Sequence, residues 1–105
     1  MKEQPVCHID GFGYRVWQLE SKKPRYIHRE DGPAVITPAG CKMWWVNNKR
    51  HRLDGPAVEF TAFDEEEWWI NNKFLGGKEI SKWIRENNVD LQTEEGQMAL
   101  ILRWT

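Results

Sequence analysis

The chain has 105 residues, 40% of them hydrophobic and 30% charged, with a formal net charge of −1. That is the size and balance of one globular domain, residues 1–105, and it excludes a disordered chain, which is poorer in apolar residues. A net charge near zero also excludes a polyanion binder that works through overall positive charge alone.

The charge is unevenly placed. Residues 15–52 carry nine Lys and Arg against three acids, whereas residues 53–105 carry five bases against eleven acids. Such a charge dipole can steer a partner even when the total is small. Met1–Asp10 is polar and lacks the apolar stretch of a secretory signal. The longest apolar run, Met98–Leu102, is far short of a membrane span. Cys7 and Cys41 are too few for a disulfide framework. Free thiols and a cytoplasmic location are therefore expected. Seven tryptophans can supply the core that a short chain struggles to assemble, because each buries a large apolar surface.

In chain order, Gly11–Leu19 reads as a strand, and His8-Ile9-Asp10-Gly11 before it faintly echoes a block that follows. That block, His28-Arg29-Glu30-Asp31-Gly32-Pro33-Ala34-Val35, returns as His51-Arg52-Leu53-Asp54-Gly55-Pro56-Ala57-Val58. A second block, Trp44-Trp45-Val46-Asn47-Asn48-Lys49, returns as Trp68-Trp69-Ile70-Asn71-Asn72-Lys73. The offset grows by one residue between the blocks, and the insertion falls in Thr61–Glu67, opposite the turn signal Thr37-Pro38-Ala39-Gly40.

Each copy predicts two strands, Ala34–Thr37 with Lys42–Val46 and Ala57–Thr61 with Glu66–Ile70, rich in Trp, Val, Ile and Phe. Asn-Asn suits tight hairpin turns that need positive φ. Asp-Gly-Pro, at Asp31-Gly32-Pro33 and Asp54-Gly55-Pro56, makes the other corner, with Asp holding backbone amides and the His or Arg of the block (His28 or Arg29, His51 or Arg52) bracing it. Successive side chains on a strand point to opposite faces, so one Trp of each pair should be inside. Trp45 and Trp69 are expected there, leaving Trp44 and Trp68 as an aromatic ridge.

After Lys73 the repeat pattern breaks. Lys78–Asn87 places Ile80, Trp83 and Ile84 at helical spacing, and Thr93 can cap a second helix over Glu94–Trp104. The reading is α+β, mainly β: an antiparallel meander of tandem hairpins over residues 1–76, with a helical cap over residues 77–105, as the end of a repeat array requires.

The combination His-Arg-x-Asp-Gly-Pro-Ala and Trp-Trp-x-Asn-x-Lys over residues 28–73 resembles the MORN-like hairpin repeats of small uncharacterised phage and bacterial proteins. Asn48 and Asn72 depart from it, standing where those repeats usually carry Gly. The resemblance implies a β-hairpin array, a viral origin and a role in binding a host protein, including a defence system, in the bacterial cytoplasm.

For chemistry, His28 with Asp31 and His51 with Asp54 could pair or bind a metal, but a motif duplicated along an array reads better as a structural corner. Cys7, His8, His28, Cys41 and His51 lack metal-ligand spacing, and no phosphate-binding Gly loop is present, so no cofactor, metal or catalytic residue is expected. A protein-binding surface is expected around Trp44, Trp68, Arg29, Lys49, Arg50 and Arg52, residue types that anchor interfaces. The alternative is nucleic-acid binding by these basic loops, joined by Lys22, Lys23 and Arg25, with tryptophans stacking on bases. The acidic run Asp64-Glu65-Glu66-Glu67 opposes it. Self-association is a further expectation, because a short meander leaves sheet edges open.

Overall fold

The computed structural model describes residues 2–22 and 24–105; Lys23 lies outside them. The chain is an antiparallel β-meander followed by two helices. Seven strands form one sheet in the order β1-β2-β3-β4-β7-β8-β9: Val6–Ile9, Arg15–Gln18, Val35–Ile36, Lys42–Met43, Val58–Phe60, Glu65–Ile70 and Lys73–Gly76. Trp45–Val46 (β5) and Lys49–Arg50 (β6) pair separately. Among the described residues every ladder is antiparallel, and paired strands are consecutive in sequence except β4 and β7, which are joined across the β5–β6 hairpin.

The repeat is visible as repeated hydrogen bonds. Asn47 (φ 52°) and Asn48 (φ 63°) turn β5 into β6, and Asn71 (φ 46°) with Asn72 (φ 70°) turns β8 into β9. Positive φ at both central positions matches the right-handed twist of the flanking strands. The second Asn of each turn does more. Asn48 Oδ1 accepts from the Ile27 N–H at 3.0 Å, while its own N–H donates to the Ile27 carbonyl. Asn72 repeats both bonds with Arg50. Each turn is thereby stitched onto the preceding unit, which a Gly could not do with a side chain.

Trp17, Leu19, Tyr26 and His28 bond as a degenerate first unit. The His28 N–H donates to the Trp17 carbonyl and the Leu19 N–H to the Tyr26 carbonyl, as the His51 N–H donates to the Trp44 carbonyl in the next unit. The echo at His8-Ile9-Asp10-Gly11 has no such role. His8 lies on β1, and Asp10 closes the β1–β2 turn by accepting from the Phe12 and Tyr14 N–H groups. Past the repeat motif, Phe74-Leu75-Gly76 continues β9.

Along the corners the core is made of small residues. Ala34 and Ala57 are fully buried beside Val16, Val35 and Val58. At the other end, β8 meets α1 (Lys78–Glu86) and α2 (Glu94–Trp104), where Trp68, Ile70, Ile80 and Leu100 form one apolar cluster. Burying an indole of about 200 Å² contributes roughly 5 kcal/mol before entropy is counted.

Trp68 is 3% exposed, and Trp69, half-buried, rests edge-on against Phe74 at 5.4 Å. The expected order of that pair is reversed. Alternation along β8 itself holds: Trp68 and Ile70, two residues apart, both face the cluster with Ile80 and Leu100, so the side the helices cover sets the parity. Trp44 and Trp45 are both half-buried, so neither is the inside member.

The helices end as their sequences dictate. Thr93 Oγ1 accepts from the Gly96 N–H at 3.0 Å to cap α2, and Asn88 (φ 51°) closes α1 as the Val89 N–H reaches the Ile84 carbonyl. Trp83 of α1 meets Trp104 of α2 edge-on at 6.1 Å. No helix among the described residues is long and apolar enough to cross a membrane.

Candidate functional site

The corners place the charged side chains. Arg29 Nε donates to Asp31 Oδ1 at 3.0 Å and its Nη1 to the Pro33 carbonyl at 3.0 Å. In the next unit Arg52 does the same with Asp54 at 2.8 Å and the Pro56 carbonyl at 3.0 Å. Each guanidinium also lies flat on the indole of the unit before it, Arg29 at 4.2 Å from Trp17 and Arg52 at 3.8 Å from Trp44. Asp31 and Asp54 therefore hold arginines, not backbone amides as expected. Gly32 and Gly55 make room for the turn-back: a Cβ on Gly55 would lie 2.7 Å from Arg52 Cζ.

The histidines act at longer range. His28 Nδ1 accepts from the Asn47 N–H at 2.9 Å, and His51 Nδ1 accepts from the Asn71 N–H at 3.1 Å. That fixes the neutral ring with its proton on Nε2. In His28 this Nε2 sits 3.3 Å from Glu30 Oε1. Burial disfavours the charged ring of His51 and lowers its pKa. Neither histidine pairs with the Asp three residues on.

Between the two corners and the start of α2 lies an open groove of about 570 Å³. Trp44, His51 and Leu53 line it, with the two Arg–Asp pairs at its walls and Gln92 and Gln97 closing it from the helical cap. The lining combines hydrogen-bond donors, acceptors and short apolar surface. Trp44, Arg29 and Arg52 are thus brought to one place. Arg50 is not: it is wedged between Trp45 and Trp69, 5.5 and 4.9 Å from their centroids. Lys49 is exposed on β6, and Trp68 is sealed in the helical core, so no ridge of Trp44 beside Trp68 forms.

Nothing in the sequence marked Gln92 and Gln97. They lie about forty residues beyond the second repeat block and about sixty beyond the first, and only the packing of α2 brings them there.

The acidic run is partly structural. Glu66 accepts from Trp68 Nε1 at 2.6 Å and from Ser81, Glu67 accepts from Trp69 Nε1 at 2.9 Å, and Asp64 pairs with Lys78 at 2.7 Å. Cys7 is exposed and Cys41 half-buried, both unbridged. Burial, helped by Glu67, raises the Cys41 pKa, so its thiol is protonated at neutral pH. Among the described residues, no three His, Cys, Asp or Glu side chains converge as a metal site.

No family model matches the chain. No curated protein and no solved structure matches it at a significant level either.

Proposed function

We propose that the chain is a small, non-enzymatic protein-binding module whose groove takes an extended segment of a partner protein. One observation carries the reading. The groove sets an indole, two neutralised Arg–Asp pairs and two amides along one open cleft. A polypeptide backbone presents alternating donors and acceptors with apolar side chains between them, and such a lining complements it. In the setting that the MORN-like resemblance implies, the partner is a host protein and binding inhibits or modulates it.

Two features favour this reading over nucleic acid. Arg29 and Arg52 already face carboxylates at 3.0 and 2.8 Å, which removes their pull on phosphates. The face of Trp44 carries Arg52 at 3.8 Å, where a base would have to stack.

The test is capture from a bacterial lysate with and without nuclease, paired with titration of a fluorescent single-stranded oligonucleotide at rising salt. A stoichiometric protein that resists nuclease, with negligible oligonucleotide binding, is the expected result. Tight oligonucleotide binding that weakens steeply with salt would overturn the proposal.

A further inference from the structure

Helix α2 has two apolar faces, and only one is covered. Leu100 and Ile101 turn inward, while Met98 is 53% and Leu102 77% exposed on the outer side. Residues four apart share a side of a helix, so two rows run along this outer face: Glu94-Met98-Leu102 and Glu95-Ala99-Arg103. The second row is acidic at one end, basic at the other, and small in the middle. Among the described residues neither Glu95 nor Arg103 belongs to an ion pair, the Arg103 guanidinium resting over the Trp104 ring at 4.5 Å.

We infer that this face binds a second copy of the chain, two α2 helices pairing antiparallel about a two-fold axis at Ala99. A two-fold contact must be complementary to itself, and this row is. Turned end for end, Glu95 of one copy meets Arg103 of the other, twice. Ala99 meets Ala99 at the axis, where a small side chain lets the helices approach, and Met98 and Leu102 of each copy cover one another. Antiparallel helices also place each acidic N-terminal turn beside the other copy's basic C-terminal turn, which their dipoles favour. The contact is short, since 11 residues span roughly 16 Å, so the dimer is weak and depends on concentration.

This face is a different side of α2 from the one that carries Gln97 into the groove, and the pairing does not rest on what the groove binds.

Sedimentation equilibrium of the full chain, from micromolar to millimolar concentration, reads the pairing directly. A reversible monomer–dimer equilibrium is expected. Leu102→Glu and Arg103→Glu should each weaken it at least about tenfold. The double change Glu95→Arg with Arg103→Glu should restore it, because the pairing then re-forms with the signs exchanged. These positions are exposed, and an unchanged melting temperature verifies the fold. The groove variant Gln92→Trp should dimerise normally, which separates this result from any failure of the groove proposal. A monomer at every concentration would overturn the inference, as would a dimer indifferent to Leu102→Glu or a charge swap without rescue. If Leu102→Glu instead abolishes capture of an unlike protein by a monomeric chain, the face belongs to that partner and the self-pairing is wrong.

Discussion

His51 Nδ1 accepts the backbone N–H of Asn71 at 3.1 Å, repeating one unit later the bond from Asn47 to His28 at 2.9 Å. An imidazole of one unit thus holds the turn of the next hairpin, and it can do so only while Nδ1 is unprotonated. Burial lowers the pKa of His51 below its ordinary 6.5. In acid the unfolded chain then takes up a proton that the folded chain resists. Stability should fall as pH drops below 6.5 toward the lowered pKa and be unaffected by this group above 6.5. Urea unfolding between pH 7.5 and 5.5 checks this, and His51→Gln should show a shallower decline.

The Asn-Asn turns separate conformational strain from hydrogen bonding. Asn72 has φ 70° and its Oδ1 accepts from the Arg50 N–H. Asn72→Gly keeps the conformation and loses the side-chain bond, about 1 kcal/mol. Asn72→Ala loses the bond and adds left-handed strain, for a total of about 2–3 kcal/mol. Chemical denaturation should rank native above Gly above Ala; equal losses would mean that the side-chain bond contributes nothing.

Gly96 lies in the first turn of α2 against the Asp90 carbonyl, which a Cβ at that position would overlap. Alanine normally improves a helix by about 1 kcal/mol over glycine. Here Gly96→Ala should instead destabilise by about 1–3 kcal/mol, because Asp90 or the helix must move. A thermal melt gives the sign.

The tryptophan pair gives a sharper contrast. Trp68→Ala should cost about 3–5 kcal/mol, since it empties the cluster with Ile80 and Leu100. Trp69→Ala, losing an edge contact with Phe74 on a half-buried side, should cost clearly less. The opposite order would mean that Trp69, and not Trp68 in step with Ile70, faces the helices, and urea denaturation of the two variants decides between them.

That contrast marks where sequence reasoning succeeds and where it stops. The hairpin turns were legible because Asn-Asn and Asp-Gly-Pro act through their own backbone preferences. The two helices were legible from local spacing and the Thr93 cap. Which Trp faces inward was not, because alternation sets Trp68 and Trp69 on opposite sides without saying which side is covered, and Trp44 falls between β4 and β5. The helices then settle the matter by packing on Trp68, a contact that no local pattern encodes. Part of the groove was legible too, since the repeated His-Arg-x-Asp block marked its corners. The stacking of Arg52 on Trp44 and the arrival of Gln92 and Gln97 depend on how units and helices pack together.

We propose the groove between the corners and α2 as the binding surface. Gln92 is exposed at its rim, so Gln92→Trp should fill the groove without disturbing the fold. Quantitative capture by the native chain and by this variant, on nuclease-treated lysate at equal loading, is the most direct measurement. The expected result is a stoichiometric protein partner that the native chain retains and the variant loses, with unchanged circular dichroism. Equal recovery of that partner by both proteins would contradict it.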